Sequence, residues 1–169
     1  MAIDTLKRLL WFVLLCLVQA LVFNHVHLFG CATPLVYVWF VVLFPRQYPR
    51  WALLLWSFAL GFTVDIFSNT PGTACTAMTL IGMLQPYLVE LFAKRDDPED
   101  MLPSIRQMGM FKYALFLFII IIVYCLVFFS LEQFSFFNWL HWLLCIGGST
   151  AITFVLLLTF ESVRRSGNE

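Results

Sequence analysis

Asp65 is the residue whose surroundings most demand an explanation. It sits in the apolar run Leu60-Gly61-Phe62-Thr63-Val64-Asp65-Ile66-Phe67, with Arg50 the nearest basic residue before it and Lys94 the nearest after it. A carboxylate in such a place is costly unless water or hydrogen-bond donors reach it. Three roles are open to it: pinning neighbouring backbone, contacting a partner or ligand, or transferring a proton. His25 and His27 form an H-x-H pair that would need a third ligand from elsewhere to hold a metal, and both read as solvated. His141, between Trp139 and Trp142, reads as part of an interfacial anchor. The five cysteines (Cys16, Cys31, Cys75, Cys125 and Cys145) are odd in number and lack C-x-x-C spacing, which argues against a disulfide framework or a zinc site. They read as small apolar packing residues, with a Cys31–Cys75 bridge left open. The sequence contains no G-x-S-x-G elbow, H-E-x-x-H helix or Gly-rich phosphate loop, and no apolar run carries paired carboxylates. The expectation is a protein without catalytic residues, cofactor or metal.

The elements that must position these groups are read from composition. Of 169 residues, 62% are hydrophobic and 12% charged, with a mean hydropathy of +0.89. Soluble domains carry about 45–50% apolar and roughly 25% charged residues, so much of this surface must face lipid. A net charge of zero and the lack of any nucleic-acid-reading motif exclude a DNA or RNA partner. Six apolar runs, at residues 9–26, 28–44, 51–67, 72–92, 111–131 and 136–160, predict six transmembrane helices in one integral membrane domain over residues 1–169. Spans of about 17–25 residues at ~1.5 Å each cover a ~30 Å hydrocarbon core. The runs are continuous rather than alternating, which selects helices over a barrel.

Charge placement orients the bundle. All ten Lys and Arg residues fall in alternate gaps: Lys7 and Arg8, then Arg46 and Arg50, then Lys94, Arg95, Arg106 and Lys112, then Arg164 and Arg165. Basic loops stay cytoplasmic, and an even number of spans puts both termini on one side. The predicted fold is an all-α, six-helix bundle, N-in and C-in, in a cytoplasmic membrane. Lys7 and Arg8 ahead of an apolar run resemble a signal peptide, but no A-x-A cleavage site follows, so the run reads as a retained first span. Trp11, Trp39, Trp51, Trp56, Trp139, Trp142 and Tyr48 lie toward run ends and read as interfacial anchors.

Turn chemistry adds detail. Asn69-Thr70-Pro71-Gly72 reads as a tight outer turn, with Asn69 or Thr70 capping the fourth helix and Pro71 at its first position. Pro86 is expected to kink that helix. In the polar loop at residues 94–107, Met101, Leu102, Ile105, Met108 and Phe111 recur at helical spacing, as in an amphipathic helix lying on the membrane; a solvated loop is the alternative. Asp4, Glu90, Glu161 and Glu169 are expected in cytoplasmic loops or at their edges, and Glu132 in an outer loop. Asp65 lies 14 residues beyond Trp51, roughly 21 Å along the third helix. Its nearest donors would be the free N–H groups opening the fourth helix, where the dipole also favours an anion. Small residues that permit close helix contact, within the chain or with a partner, are Ser57 and Gly61, Thr73 and Ala77, and the group Gly147, Gly148 and Ala151.

Residues 55–72 carry a likeness. Gly61, Asp65, Phe67, Ser68, Pro71 and Gly72 match a G-x-x-x-D-x-(apolar) stretch followed by a short polar turn and a small-residue-rich helix. Over residues 55–92 the chain resembles the rod shape-determining protein MreD family, and its length, span count and topology agree along the rest. The resemblance implies a non-catalytic subunit of the bacterial cell-elongation machinery in the inner membrane. Such a subunit pairs with the membrane helix of MreC and helps couple MreB filaments to peptidoglycan-synthesising enzymes. It also implies a fold similar to the S components of energy-coupling-factor vitamin transporters, which supply the alternative function. S components carry an A-x-x-x-A pattern on their first helix, whereas this helix has Ala20 among bulky residues. The outer loops also lack the polar residues expected around a vitamin. On the MreD reading, bundle surfaces with small residues receive the partner helix, and the loop at residues 94–107 meets cytoplasmic partners.

Overall fold

A computed structural model describes residues 2–21, 34–70, 72–93, 103–133 and 139–166. Among these residues every regular element is a helix. Helix α1 spans Ala2–Leu21; a 3-10 turn at Val36–Val38 runs into the short α2, Trp39–Val42; α3 is Arg50–Ser68 and α4 is Thr73–Phe92. A one-turn α5, Ile105–Met108, precedes the long helices α6, Met110–Gln133, and α7, Trp139–Ser166. Four helical segments are long and apolar enough to cross a membrane: Arg50–Ser68, Thr73–Phe92, Met110–Glu132 and Trp142–Val163. The chain is a multi-pass helical membrane protein. The expected spans at 51–67, 72–92 and 111–131 match α3, α4 and α6 to within two residues at each end, while α7 runs on past residue 160 to Ser166.

The second run departs from expectation. Residues 28–33 lie outside the described residues, and the described remainder holds two short helical pieces rather than one span. Pro45 disfavours helical backbone at Phe44 and so stops α2 early. Between Leu35 and Val42 no residue is more than 3% exposed. A segment that is apolar on every side belongs inside a core, and this one forms the axis of the bundle. Trp11 and Phe12 of α1 meet Trp39 and Phe40 edge-on, with ring centroids 5.2 and 5.9 Å apart. Phe160 of α7 lies 5.9 Å from Trp39, and the hydroxyls of Tyr37 and Tyr124 are hydrogen-bonded. Trp39, expected as an interfacial anchor, is therefore a core residue at 1% exposure, whereas Trp51 is 72% exposed.

In lipid, helices associate through packing and hydrogen bonds rather than water exclusion, and the axial segment is clamped accordingly. Its backbone cannot complete a regular helical ladder at either end, so side chains supply the partners. Gln19 Nε2 of α1 donates to the Pro34 carbonyl at 3.2 Å, and the Leu35 N–H donates to Thr153 Oγ1 of α7 at 3.0 Å. At the other end Gln85 Nε2 of α4 donates to the Phe44 carbonyl at 3.3 Å.

Two further expectations are corrected. The amphipathic helix expected around residues 101–111 shrinks to α5, because Gly109 adopts φ 83° and separates it from α6. Ile105 and Met108 are buried against the bundle instead of lying on a membrane surface. Glu161, expected at a loop edge, is 3% exposed within α7. Helix α4 continues through Pro86 to Phe92.

Candidate functional site

The site is the hairpin joining α3 to α4. Helix α3 closes at Ser68 with Asn69 in the left-handed region (φ 55°, ψ 33°), where its N–H reaches the Asp65 carbonyl. Asn readily adopts this conformation as a helix terminator. The Thr70 N–H also meets that carbonyl, at 3.2 Å. Gly72 then opens α4 from φ 80° with no side-chain cap. Asn69 thus terminates α3 rather than capping α4, and Pro71 lies outside the described residues.

The missing cap comes from the preceding helix. Asp65 Oδ1 accepts from the Ala74 N–H at 2.9 Å, and Oδ2 accepts from the Cys75 N–H at 2.8 Å. These are the second and third residues of α4, the positions an N-cap side chain ordinarily serves. Thr70 Oγ1 and Thr73 Oγ1 donate to Oδ1 as well, at 2.9 and 3.4 Å. At 6% exposure the carboxylate is surrounded by donors at the positive end of a helix dipole. Its donors are those the sequence suggested, the opening N–H groups of the fourth helix.

Gly61, one turn below Asp65, makes this geometry attainable. A Cβ on Gly61 would stand 2.6 Å from Cys75 Cα and 2.8 Å from the Ala74 carbonyl oxygen. Both neighbours are backbone and cannot swing aside, so only glycine lets α3 approach the residues that Asp65 caps. The spacing of Gly61 and Asp65 is thus one mechanical unit, with glycine setting the approach and aspartate locking it. A second close contact lies further along the pair. A Cβ on Gly82 would come within 2.6 Å of Ser57 Oγ, which itself donates to the Leu53 carbonyl at 2.8 Å. Thr73 and Ala77 are both buried. Phe67 does not join them; it is 59% exposed and points outward. Beside the carboxylate, Phe62, Asp65, Ile66, Asn69, Thr70 and Cys75 border a hollow of about 430 Å³, open to the surroundings.

Other sequence candidates fall elsewhere. On α7 Cys145, Ser149, Thr153, Leu157 and Glu161 are buried at fourth-residue spacing, with Ile146 and Thr150 buried beside them. Gly147 and Ala151 lie on the opposite side, exposed, and a Cβ on Gly147 would meet nothing within 4 Å; Gly148 is half-buried. Within the bundle the small polar residues of α7 that are buried are Ser149, Thr150 and Thr153, whereas Gly147 and Ala151 remain open to a partner. His25, His27 and Cys31 lie outside the described residues, Cys75 is a free thiol, and among the described residues no three metal-ligating side chains converge. Gln19 and Gln85, the clamps on the axial segment, went unread in the sequence. Isolated amides within long apolar runs were the available signal.

The opposite end of the bundle is basic. Arg8 of α1 stacks over Tyr48 at 4.4 Å, Arg50 lies 5.0 Å above Tyr87, and Arg46 approaches Glu90 of α4 at 3.9 Å. Arg50 starts α3 and Asp65 lies near its far end, so cations and carboxylate occupy opposite ends of the helix. Fold and site define a multi-pass helical membrane protein with a carboxylate-pinned hairpin. Comparison with family models, curated proteins and solved structures finds no match.

Proposed function

We propose that the protein is a non-catalytic membrane scaffold of the bacterial cell-elongation complex, of the MreD type. In that role it binds MreC and helps couple MreB filaments to peptidoglycan synthesis. The observation that carries this reading is the commitment of Asp65: a carboxylate that could have served proton transfer or ligand capture is engaged by four donors that fasten two helices. The residues of the family-like stretch thus act on architecture, with Gly61 and Asp65 forming one unit. A docking face for the partner's single membrane helix is offered by α7, where Leu144, Gly147, Ala151 and Val155 point outward at helical spacing. Glycine and alanine there let a second backbone approach closely.

The orientation that goes with this role places the Arg8, Arg46 and Arg50 end in the cytoplasm and the Asp65 hairpin on the outer side, following the retention of basic loops. Deleting the gene in its rod-shaped host should yield rounded cells, rescued by the wild-type copy. Cells that keep normal width and length after deletion would count against the proposal.

A further inference from the structure

We propose that the pocket between the α2–α3 turn and the last turns of α4 binds the phosphate of an anionic phospholipid. Arg46, Arg50 and Glu90, together with Tyr48, border a cavity of about 230 Å³. Arg8 joins it from α1 by stacking over Tyr48 at 4.4 Å and over Phe44 at 5.5 Å. Two guanidiniums thus share the cavity wall with one carboxylate, and a third, Arg8, is stacked on its Tyr48 side. The Arg46–Glu90 pair is loose at 3.9 Å, with the Glu90 side chain 60% exposed. Among the described residues that line the cavity, two arginines face one glutamate, an excess of positive charge that an anion would balance.

The aromatic partners prepare the arginines for that task. Arg50 lies 5.0 Å above the Tyr87 ring and donates from Nη1 to its hydroxyl at 3.2 Å. Stacking holds the plane of a guanidinium while leaving in-plane N–H groups for a second acceptor, and that fork matches phosphate oxygens. A guanidinium held this way loses less freedom on binding than a free one.

Position selects a lipid as the source of the phosphate. Trp51, next to Arg50, is 72% exposed, and exposed tryptophans at helix ends favour the membrane–water boundary, which would set the pocket at head-group level. From there two apolar tracks run away along the hairpin, Leu55 and Phe58 on α3 and Met83 and Leu91 on α4, all exposed. A head group held by the arginines would lay its acyl chains against these side chains. Basic pockets between membrane helices bind anionic head groups on the same physical grounds. The inference stands apart from the scaffold reading, since any protein with this cluster at the interface would bind such a lipid.

The test uses the full-length protein in neutral detergent micelles, titrated with phosphatidylglycerol, phosphatidylcholine or inorganic phosphate. Retained lipid is counted by native mass spectrometry. Wild type should retain phosphatidylglycerol in preference to phosphatidylcholine. The R46Q/R50Q double variant should weaken that retention by roughly tenfold or more, the scale expected for two basic residues beside an anionic lipid. K112Q removes one exposed cation outside the pocket and should leave retention unchanged; R46K/R50K keeps the charge and should fall between wild type and the glutamine variant. If the double variant is not monodisperse, R46Q and R50Q are read singly, each with a partial loss expected. Equal retention of the two lipids, an equal loss in K112Q, or displacement of phosphatidylglycerol by millimolar inorganic phosphate would each overturn the assignment.

Discussion

Replacing Asp65 with alanine should destabilise the bundle more than any other single polar change at the α3–α4 hairpin. The substitution removes the acceptor for the Ala74 and Cys75 N–H groups and for two threonine hydroxyls. Ala74 is fully buried and Cys75 8% exposed, so neither backbone donor has ready access to water. A buried donor left without a partner costs about 1–3 kcal/mol, giving roughly 2–6 kcal/mol for the pair. The hydroxyls can rotate to other acceptors and add little. Water reaching Cys75 from the adjoining hollow relieves part of the cost, which favours the lower half of that range, about 2–4 kcal/mol. Asp65→Asn keeps an acceptor for one N–H but turns its amide toward the other, so it should cost about half as much. The measurement is reversible unfolding in mixed micelles, followed by tryptophan fluorescence, with far-ultraviolet circular dichroism to verify native helix content. Stabilities for both variants within about 0.5 kcal/mol of wild type, the range of inconsequential surface substitutions, would refute the capping argument.

Three other outcomes follow from the same geometry. Gly61→Ala should cost about 1–3 kcal/mol, because its methyl group meets backbone and forces the helices apart. In a double-mutant cycle with Asp65→Asn, it should show a coupling of at least about 0.5 kcal/mol, since parting the helices already weakens the cap. Gln85→Leu should lower stability by about 1–3 kcal/mol by orphaning the Phe44 carbonyl, read in the same unfolding assay. Ala151→Leu, on the outward side of α7, should leave stability within about 0.5 kcal/mol of wild type yet weaken capture of the MreC membrane helix in a pull-down.

Much of the hairpin was legible in the sequence because its determinants are local. Asp65 in an apolar run with no cation nearby could be stabilised only by nearby donors, and the free N–H groups across a short turn were the closest. The cap assignment failed at Asn69 because the same residue type suits both an N-cap and a left-handed helix terminator, and the cap position itself falls on Gly72. Spans α3, α4 and α6 were readable from continuous hydropathy. The axial segment was not, since a run that is apolar on all sides looks the same whether lipid or protein surrounds it. Its tell-tale partners, Gln19 and Gln85, are distant in sequence and become meaningful only once Pro34 and Phe44 are placed beside them. The position of Gly147 and Ala151 on the outer side of α7 was equally hidden, because small-residue spacing does not say which side of a helix faces the bundle.

The scaffold reading is tested most directly by purifying the full-length protein from solubilised membranes that also contain MreC. The account predicts a stable complex that survives size-exclusion chromatography, forms with wild type, and is weakened by Ala151→Leu. Recovery of the protein without MreC, together with tight stoichiometric binding of a vitamin, would contradict it.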